Sequence, residues 1–190
     1  MRHRIYVTES ATRARDMRVD LVPALSRNPP RSPKPQKPLK TRAIALLARR
    51  EYSRAELRRK LLAGGERDPV AAAEVDVALD ELAELGYLSD ARFATAITQQ
   101  KSAGFSKRSI GATLKASGVS SDIAADALAS VELDDSVTLV ALWRRRFGRA
   151  PANDKEKARQ VRFLQSRGFA LSAIFKLLRN PPGEGEAPDG

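Results

Sequence analysis

Residues 49–61, Arg-Arg-Glu-Tyr-Ser-Arg-Ala-Glu-Leu-Arg-Arg-Lys-Leu, place six Arg or Lys and two Glu in thirteen positions. Cations at that density suit one kind of chemistry, the charge-assisted binding of phosphates or carboxylates. On a helical wheel Leu57 and Leu61 share a face that Ala55 and Leu62 extend. Arg59, Glu56 and Lys60 fall opposite, and Arg54 and Arg58 sit at its rim. Two readings stand side by side. In one, the helix faces water and carries a Glu56–Lys60 pair at i,i+4. In the other, Arg49, Arg50, Arg54, Arg58 and Arg59 form a surface for a polyanion. Arg49, Arg50 and Arg58 lack an acid at helical spacing on both sides, which leaves their charge available.

A second cluster is plainer. In Leu-Trp-Arg-Arg-Arg-Phe-Gly (142–148), no acid lies within four residues of Arg144, Arg145 and Arg146. Val140, Trp143 and Phe147 recur at i, i+3 and i+7, so the aromatics are expected to pack. Arg145 points most nearly away from Phe147, and Arg146 flanks it. In 155–169, Ala158, Val161 and Leu164 define a core face. Arg159 and Arg162 lie on another side, with Arg167 beyond Phe163. These residues predict a phosphate- or acid-contacting face whose binding falls steeply with salt.

Other chemistries lack the residues they need. The chain has no Cys, and its one His is His3. That removes thiolate metal sites and most histidine acid–base catalysis. Asp134/Asp135 and Glu81/Glu84 have no His or Cys company and fit helix caps and solvent faces. Gly104, Lys107 and Arg108 cluster in 102–109 without a Gly-rich phosphate-loop pattern. No catalytic, cofactor or metal site is expected, and the chain is not expected to be an enzyme. No apolar run approaches the roughly 18 residues of a membrane span. Residues 1–10 lack the apolar core of a secretory signal, and Glu9, Asp16 and Asp20 interrupt a transit-peptide pattern. The absence of Cys suits a reducing compartment, and a cytoplasmic protein is expected.

Positioning these side chains is work for helices. Among 190 residues there are 34 Lys and Arg against 23 Asp and Glu, net +11. The excess is +7 in 1–40 and +6 in 136–190, with −2 between. Residues 27–40 hold five prolines, which defeat helix and sheet alike. Residues 1–40 are therefore expected to be a basic disordered arm, and 180–190 a disordered acidic tail. The body between is rich in Ala, Leu, Arg and Glu and lacks alternating strand patterns. Ser53 and Glu56 form a capping-box pattern, and Gly64 and Gly65 mark a stop.

Aligned leucines expose a repeat. Leu61, Leu114 and Leu164 each precede a glycine by four residues (Gly65, Gly118, Gly168), and Leu57, Ile110 and Gln160 stand four residues before them. Amphipathic segments precede each such helix (41–50, 90–103, 136–147) and follow it (70–85, 121–130, 170–179). The residues in 64–75 look like a small insertion in the first copy. The pattern predicts an all-α, elongated tandem array of three three-helix repeats, over 41–89, 90–135 and 136–179. Each repeat is too small to bury much core alone, so neighbours must stack. Units roughly 25 Å across reach about 70 Å in a row. The units also have the look of helix-turn-helix packing, in which a basic second or third helix enters a DNA groove. No Asn or Gln stands in an obvious base-reading position.

Taken together, 45–61, 85–94 and 157–169 resemble the RecX family, regulators of the RecA recombinase. The resemblance covers about 41–179 in order and spacing. Tyr52, Leu57 and Leu61 match the first repeat, Gly86, Tyr87, Leu88 and Phe93 the junction, and Phe163, Leu164, Arg167, Gly168 and Phe169 the last repeat. It implies a modular all-α protein that binds along the RecA–DNA filament, in its groove, and curbs RecA's ATPase, strand exchange and co-protease activities. The implied partners are the RecA filament and, weakly and salt-dependently, single- and double-stranded DNA, with no membrane and a monomeric chain. Apolar motif residues are expected to be scaffold and basic ones contacts. The middle repeat departs from the family pattern with Ser109 directly before Ile110, where a basic residue is frequent. A stand-alone helix-turn-helix DNA-binding regulator is the alternative.

Overall fold

The computed structural model describes residues 38–63 and 69–182. The arm before Pro38, the Gly64/Gly65 stop and the tail from Gly183 lie outside the described residues. Nine α-helices and no strand occur among them: α1 (Leu39–Leu47), α2 (Arg54–Leu62), α3 (Pro69–Glu84), α4 (Asp90–Ser102), α5 (Lys107–Ala116), α6 (Ser121–Ala129), α7 (Asp135–Arg146), α8 (Asp154–Ser166) and α9 (Leu171–Arg179). They form three consecutive triplets.

Polar caps start most of these helices. Ser53, Ser89, Ser106, Ser120, Asp134 and Asn153 each accept a hydrogen bond from a backbone N–H of the first turn. Each such bond satisfies a donor that the helix itself cannot. The Ser53 capping box forms by half. Ser53 Oγ accepts from Glu56 N at 3.1 Å, but the Glu56 carboxylate turns away, to Arg50 Nη2 at 3.2 Å and to the Ser117 hydroxyl at 3.0 Å. The expected Glu56–Lys60 pair is therefore replaced by contacts outside the helix. Gly118 and Gly168 end α5 and α8 at φ +81° and +90°, where a side chain would be strained.

Every triplet has its own core. Leu57, Leu61, Leu79 and Leu82 centre the first, Phe93, Ile110 and Leu114 the second, and Trp143, Leu164, Phe169 and Ile174 the third. The aligned leucines are all buried. Gln160, in the register of Leu57 and Ile110, is buried as well. It accepts from Trp143 Nε1 at 2.8 Å and donates to the Arg149 carbonyl at 3.3 Å. The amide thus satisfies an indole N–H that the third core encloses.

Triplets join through helix ends and polar contacts. The hydroxyl of Ser53 donates to the Ser117 carbonyl at 2.6 Å, and Arg54 N donates to Asp90 Oδ1 at 2.7 Å. At the next joint the Ser106 hydroxyl donates to the Gly168 carbonyl at 2.8 Å, and Lys107 N donates to Asp135 Oδ1 at 2.8 Å. The start of one second helix thus caps the end of the next. Carbonyls at a helix C-terminus meet donors at an N-terminus, a favourable alignment of opposite partial charges.

Candidate partner and nucleic-acid interface

The structure divides the basic residues singled out by sequence into two groups. In the first triplet, carboxylates meet three of the five. Arg58 forks onto Asp76 through Nε at 2.7 Å and Nη2 at 3.0 Å. Arg54 Nη1 lies 2.8 Å from Asp80, and Arg50 pairs with Glu56 while its guanidinium stands 3.8 Å from the Tyr52 ring centre. The hydrogen bonding to Asp76, then that carboxylate's charge, hold Arg58 above its usual range. The same hydrogen bond is the main cause of a lowered Asp76 carboxyl. The expectation that Arg58 has charge to offer rests on the lack of a nearby acid on α2; its partner comes from α3, beyond the reach of a local reading. Arg49 and Arg59 are exposed, with no side-chain partner among the described residues.

The third triplet is different. Among the described residues, no carboxylate forms an ion pair with Arg144, Arg145, Arg146, Arg159, Arg162 or Arg167. Aromatic rings hold three of them instead. Phe147 and Phe163 meet edge to face, centres 5.5 Å apart. Arg146 stands 5.7 Å from Phe147 and 5.9 Å from Phe163, and Arg159 stands 6.0 Å from Phe147. Arg167 reaches both Phe105 of the second triplet, at 4.6 Å, and Phe163, at 5.2 Å. Arg145 extends across the joint, its Nη2 lying 3.4 Å from the Ala103 carbonyl. Arg162 is exposed and Arg144 half-buried. Trp143 and Leu164 pack in the core as their spacing predicts.

One acid lies at the margin of this surface. Glu156 accepts from Ala152 N at 3.0 Å and lies 3.6 Å from Arg149. The backbone bond, then the charges of Arg149 and Arg159, lower its carboxyl below the ordinary range.

Arg145, Arg146 and Arg167 converge on a cleft of about 400 Å³ between the second and third triplets. Two of its walls escaped the sequence reading: Lys101 and Phe105, with the ammonium 4.3 Å from the ring centre. A signal was present. Phe105 stands directly before its capping serine, as Tyr52 stands before Ser53, and Lys101 precedes it by one helical turn. Asp134 and Asp135, set aside as caps, do cap: Asp134 starts α7, and Asp135 serves the second joint.

Three helical triplets in series, joined end to end through capped second helices and carrying a carboxylate-poor cationic face, define a modular all-α protein. The triplets match in order the first, second and third three-helix domains of RecX, over residues 40–82, 89–128 and 134–178. The regulatory protein RecX of Leptothrix cholodnii is 42% identical over 148 residues, covering 78% of this chain and 92% of that protein. A regulatory protein RecX of Thermus thermophilus is 35% identical over 145 residues, 76% and 92% respectively. The crystal structure of RecX from Lactobacillus salivarius shares the fold, with a TM-score of 0.50 and 19% identity over 74% of this chain and 94% of that one. The chain belongs to the RecX family of regulatory proteins. No helix among the described residues is long and apolar enough to cross a membrane.

Proposed function

We propose that this chain is a non-enzymatic regulator that docks on the RecA–DNA filament and mainly inhibits it, lowering RecA's ATPase, strand exchange and co-protease activities. Through them it affects recombination, repair and the SOS response. It acts in the cytoplasm, as a monomer. The observation that carries this reading is the contrast between the candidate arginines: three of the five in the first triplet pair with carboxylates, and among the described residues none of Arg144, Arg145, Arg146, Arg159, Arg162 and Arg167 does. A cationic face without its own counter-charges suits a partner built of phosphates and acidic side chains. Arg145, Arg146, Arg159, Arg162 and Arg167 are its main contacts. Arg49, Arg59 and Arg144 supplement them, and Arg50, Arg54 and Arg58 serve chiefly in the first triplet's own ion pairs.

The joints speak against a stand-alone helix-turn-helix regulator that reads DNA with α2 or α5. A recognition helix presents its N-terminal residues to base edges. Here the N-termini of α2 and α5 are occupied by the following triplets.

The test is the DNA-dependent ATPase of RecA from the same organism, with this chain added below stoichiometry, before and after filaments form. Inhibition at low salt that fades as salt rises is expected. Unchanged hydrolysis at low salt would reject the reading, and enrichment of one duplex sequence from random DNA would favour the alternative.

A further inference from the structure

The cleft at the second joint displays a single sign of charge. Lys101 lines it from the second triplet, Arg145, Arg146 and Arg167 from the third, and among the described residues no acid does. Aromatic rings set three of these four cations in place. Lys101 and Arg167 lie 4.3 and 4.6 Å from the Phe105 centre, and Arg167 and Arg146 lie 5.2 and 5.9 Å from that of Phe163. A ring attracts a cation through its quadrupole but carries no net charge. It fixes the position of the cation and leaves the charge uncompensated. A carboxylate, as on Arg54 and Arg58, fixes position by cancelling charge. Positioned, uncompensated cations around a concavity focus the field on whatever anion enters. A space of about 400 Å³ falls in the range of small-ligand pockets.

We propose that this cleft is a binding site for the phosphate groups of nucleotides, with Arg145 and Arg167 as principal ligands and Lys101 and Arg146 flanking them. An occupant bridges the second and third triplets, because each supplies cations to it. The proposal rests on the reading of the third triplet as an anion-contacting face, but it requires no recombinase for binding. Two sources present the same chemistry, the backbone of a single DNA strand and a free nucleoside triphosphate.

The experiment is fluorescence anisotropy of the full chain without RecA. One arm uses a labelled oligothymidylate about ten nucleotides long, the other a fluorescent ATP analogue. Arg145→Gln with Arg167→Gln is expected to weaken the bound ligand by about tenfold or more. For the single strand it should reduce the slope of log K against log salt by about 1.4, two charges at about 0.7 each. Lys155→Gln with Arg179→Gln removes equal charge from exposed positions outside the cleft. It should change affinity by less than about threefold. Because Arg167 touches both rings of the joint, Lys101→Gln with Arg145→Gln, which leaves those contacts intact, must reproduce the loss. Binding of the oligonucleotide alone assigns the site to a strand, and binding of the ATP analogue alone to a free nucleotide. Equal losses in cleft and control variants, or no loss in either, would overturn the site. So would cleft variants that keep both ligands yet no longer inhibit RecA, an outcome that points to an acidic protein segment. Cleft-dependent binding by a chain without effect on RecA's ATPase would contradict the filament reading alone.

Discussion

Ser53 in the first triplet donates its hydroxyl proton to the carbonyl of Ser117 in the second, 2.6 Å away, while the same oxygen accepts from Glu56 N. One hydroxyl thus starts a helix and fastens the next triplet, and Ser106 repeats the arrangement on Gly168. Ser53→Ala loses a cap, about 1 kcal/mol, and leaves a buried carbonyl without its donor, about 1–3 kcal/mol. We predict a loss of about 2–4 kcal/mol in denaturant unfolding, and a similar loss for Ser106→Ala. A loss below about 0.5 kcal/mol, typical of an exposed site, would show that the joints contribute little.

Glycines at the joints give a graded prediction. A Cβ at Gly118 would lie 2.5 Å from Ala55 Cβ, and one at Gly168 2.5 Å from Ser109 Cβ. Gly86 has a similar φ, +75°, but open space around it. Gly86→Ala should cost only the left-handed penalty, about 1–2 kcal/mol. Gly118→Ala and Gly168→Ala add overpacking and should cost about 2–4 kcal/mol. Equal melting temperatures for the three variants would contradict the close approach of the triplets.

The triple repeat is legible in sequence because leucine and glycine spacing is a local signal. Leu61, Leu114 and Leu164 are buried as that spacing requires, and the helices lie within a few residues of the expected segments. The joints were invisible. Ser53 and Ser106 read as ordinary caps, and nothing along the chain reveals that each also bonds a carbonyl more than sixty residues away. The candidate site divides the same way. Arg144–Arg146 have no acid within four residues in sequence and form no ion pair among the described residues, whereas Arg58 finds Asp76 on another helix. The Arg167–Phe105 contact joins two triplets, so the place of Phe105 before its capping serine marks the residue but not the arginine it meets.

Gln160 breaks the apolar register for an identifiable reason, the Trp143 N–H. Gln160→Leu restores the pattern seen at Leu57 but strands that donor in the core. We predict destabilisation of about 1–3 kcal/mol, not a gain, measured by chemical denaturation. Paired with Trp143→Phe, which removes the donor, Gln160→Leu should be much milder. A stabilised single variant would contradict this role.

Acid should weaken the fold through its paired carboxylates. Asp76, Asp134 and Glu156 are held below their ordinary ranges by hydrogen bonds from Arg58, Ser136 and Ala152 respectively. A carboxyl lowered in the folded state contributes stability above its unfolded pKa and loses it as pH falls through the folded value. Melting temperature should therefore be flat near neutrality and decline below about pH 4. Asp76→Asn should lower the neutral plateau slightly and lessen the acid-side decline. An unchanged pH profile would remove the Arg58–Asp76 fork from the account.

The measurement closest to the central claim is an ATPase titration of RecA filaments comparing the wild-type chain with Arg145→Glu, Arg159→Glu and Arg162→Glu combined. Exposed substitutions usually alter stability within about 0.5 kcal/mol each, so the variant should stay folded by circular dichroism and melt near the wild type. We predict that it loses most of its inhibition while the wild type depresses hydrolysis at substoichiometric amounts. A folded variant that inhibits as strongly as the wild type would contradict the claim that these unpaired arginines carry partner binding.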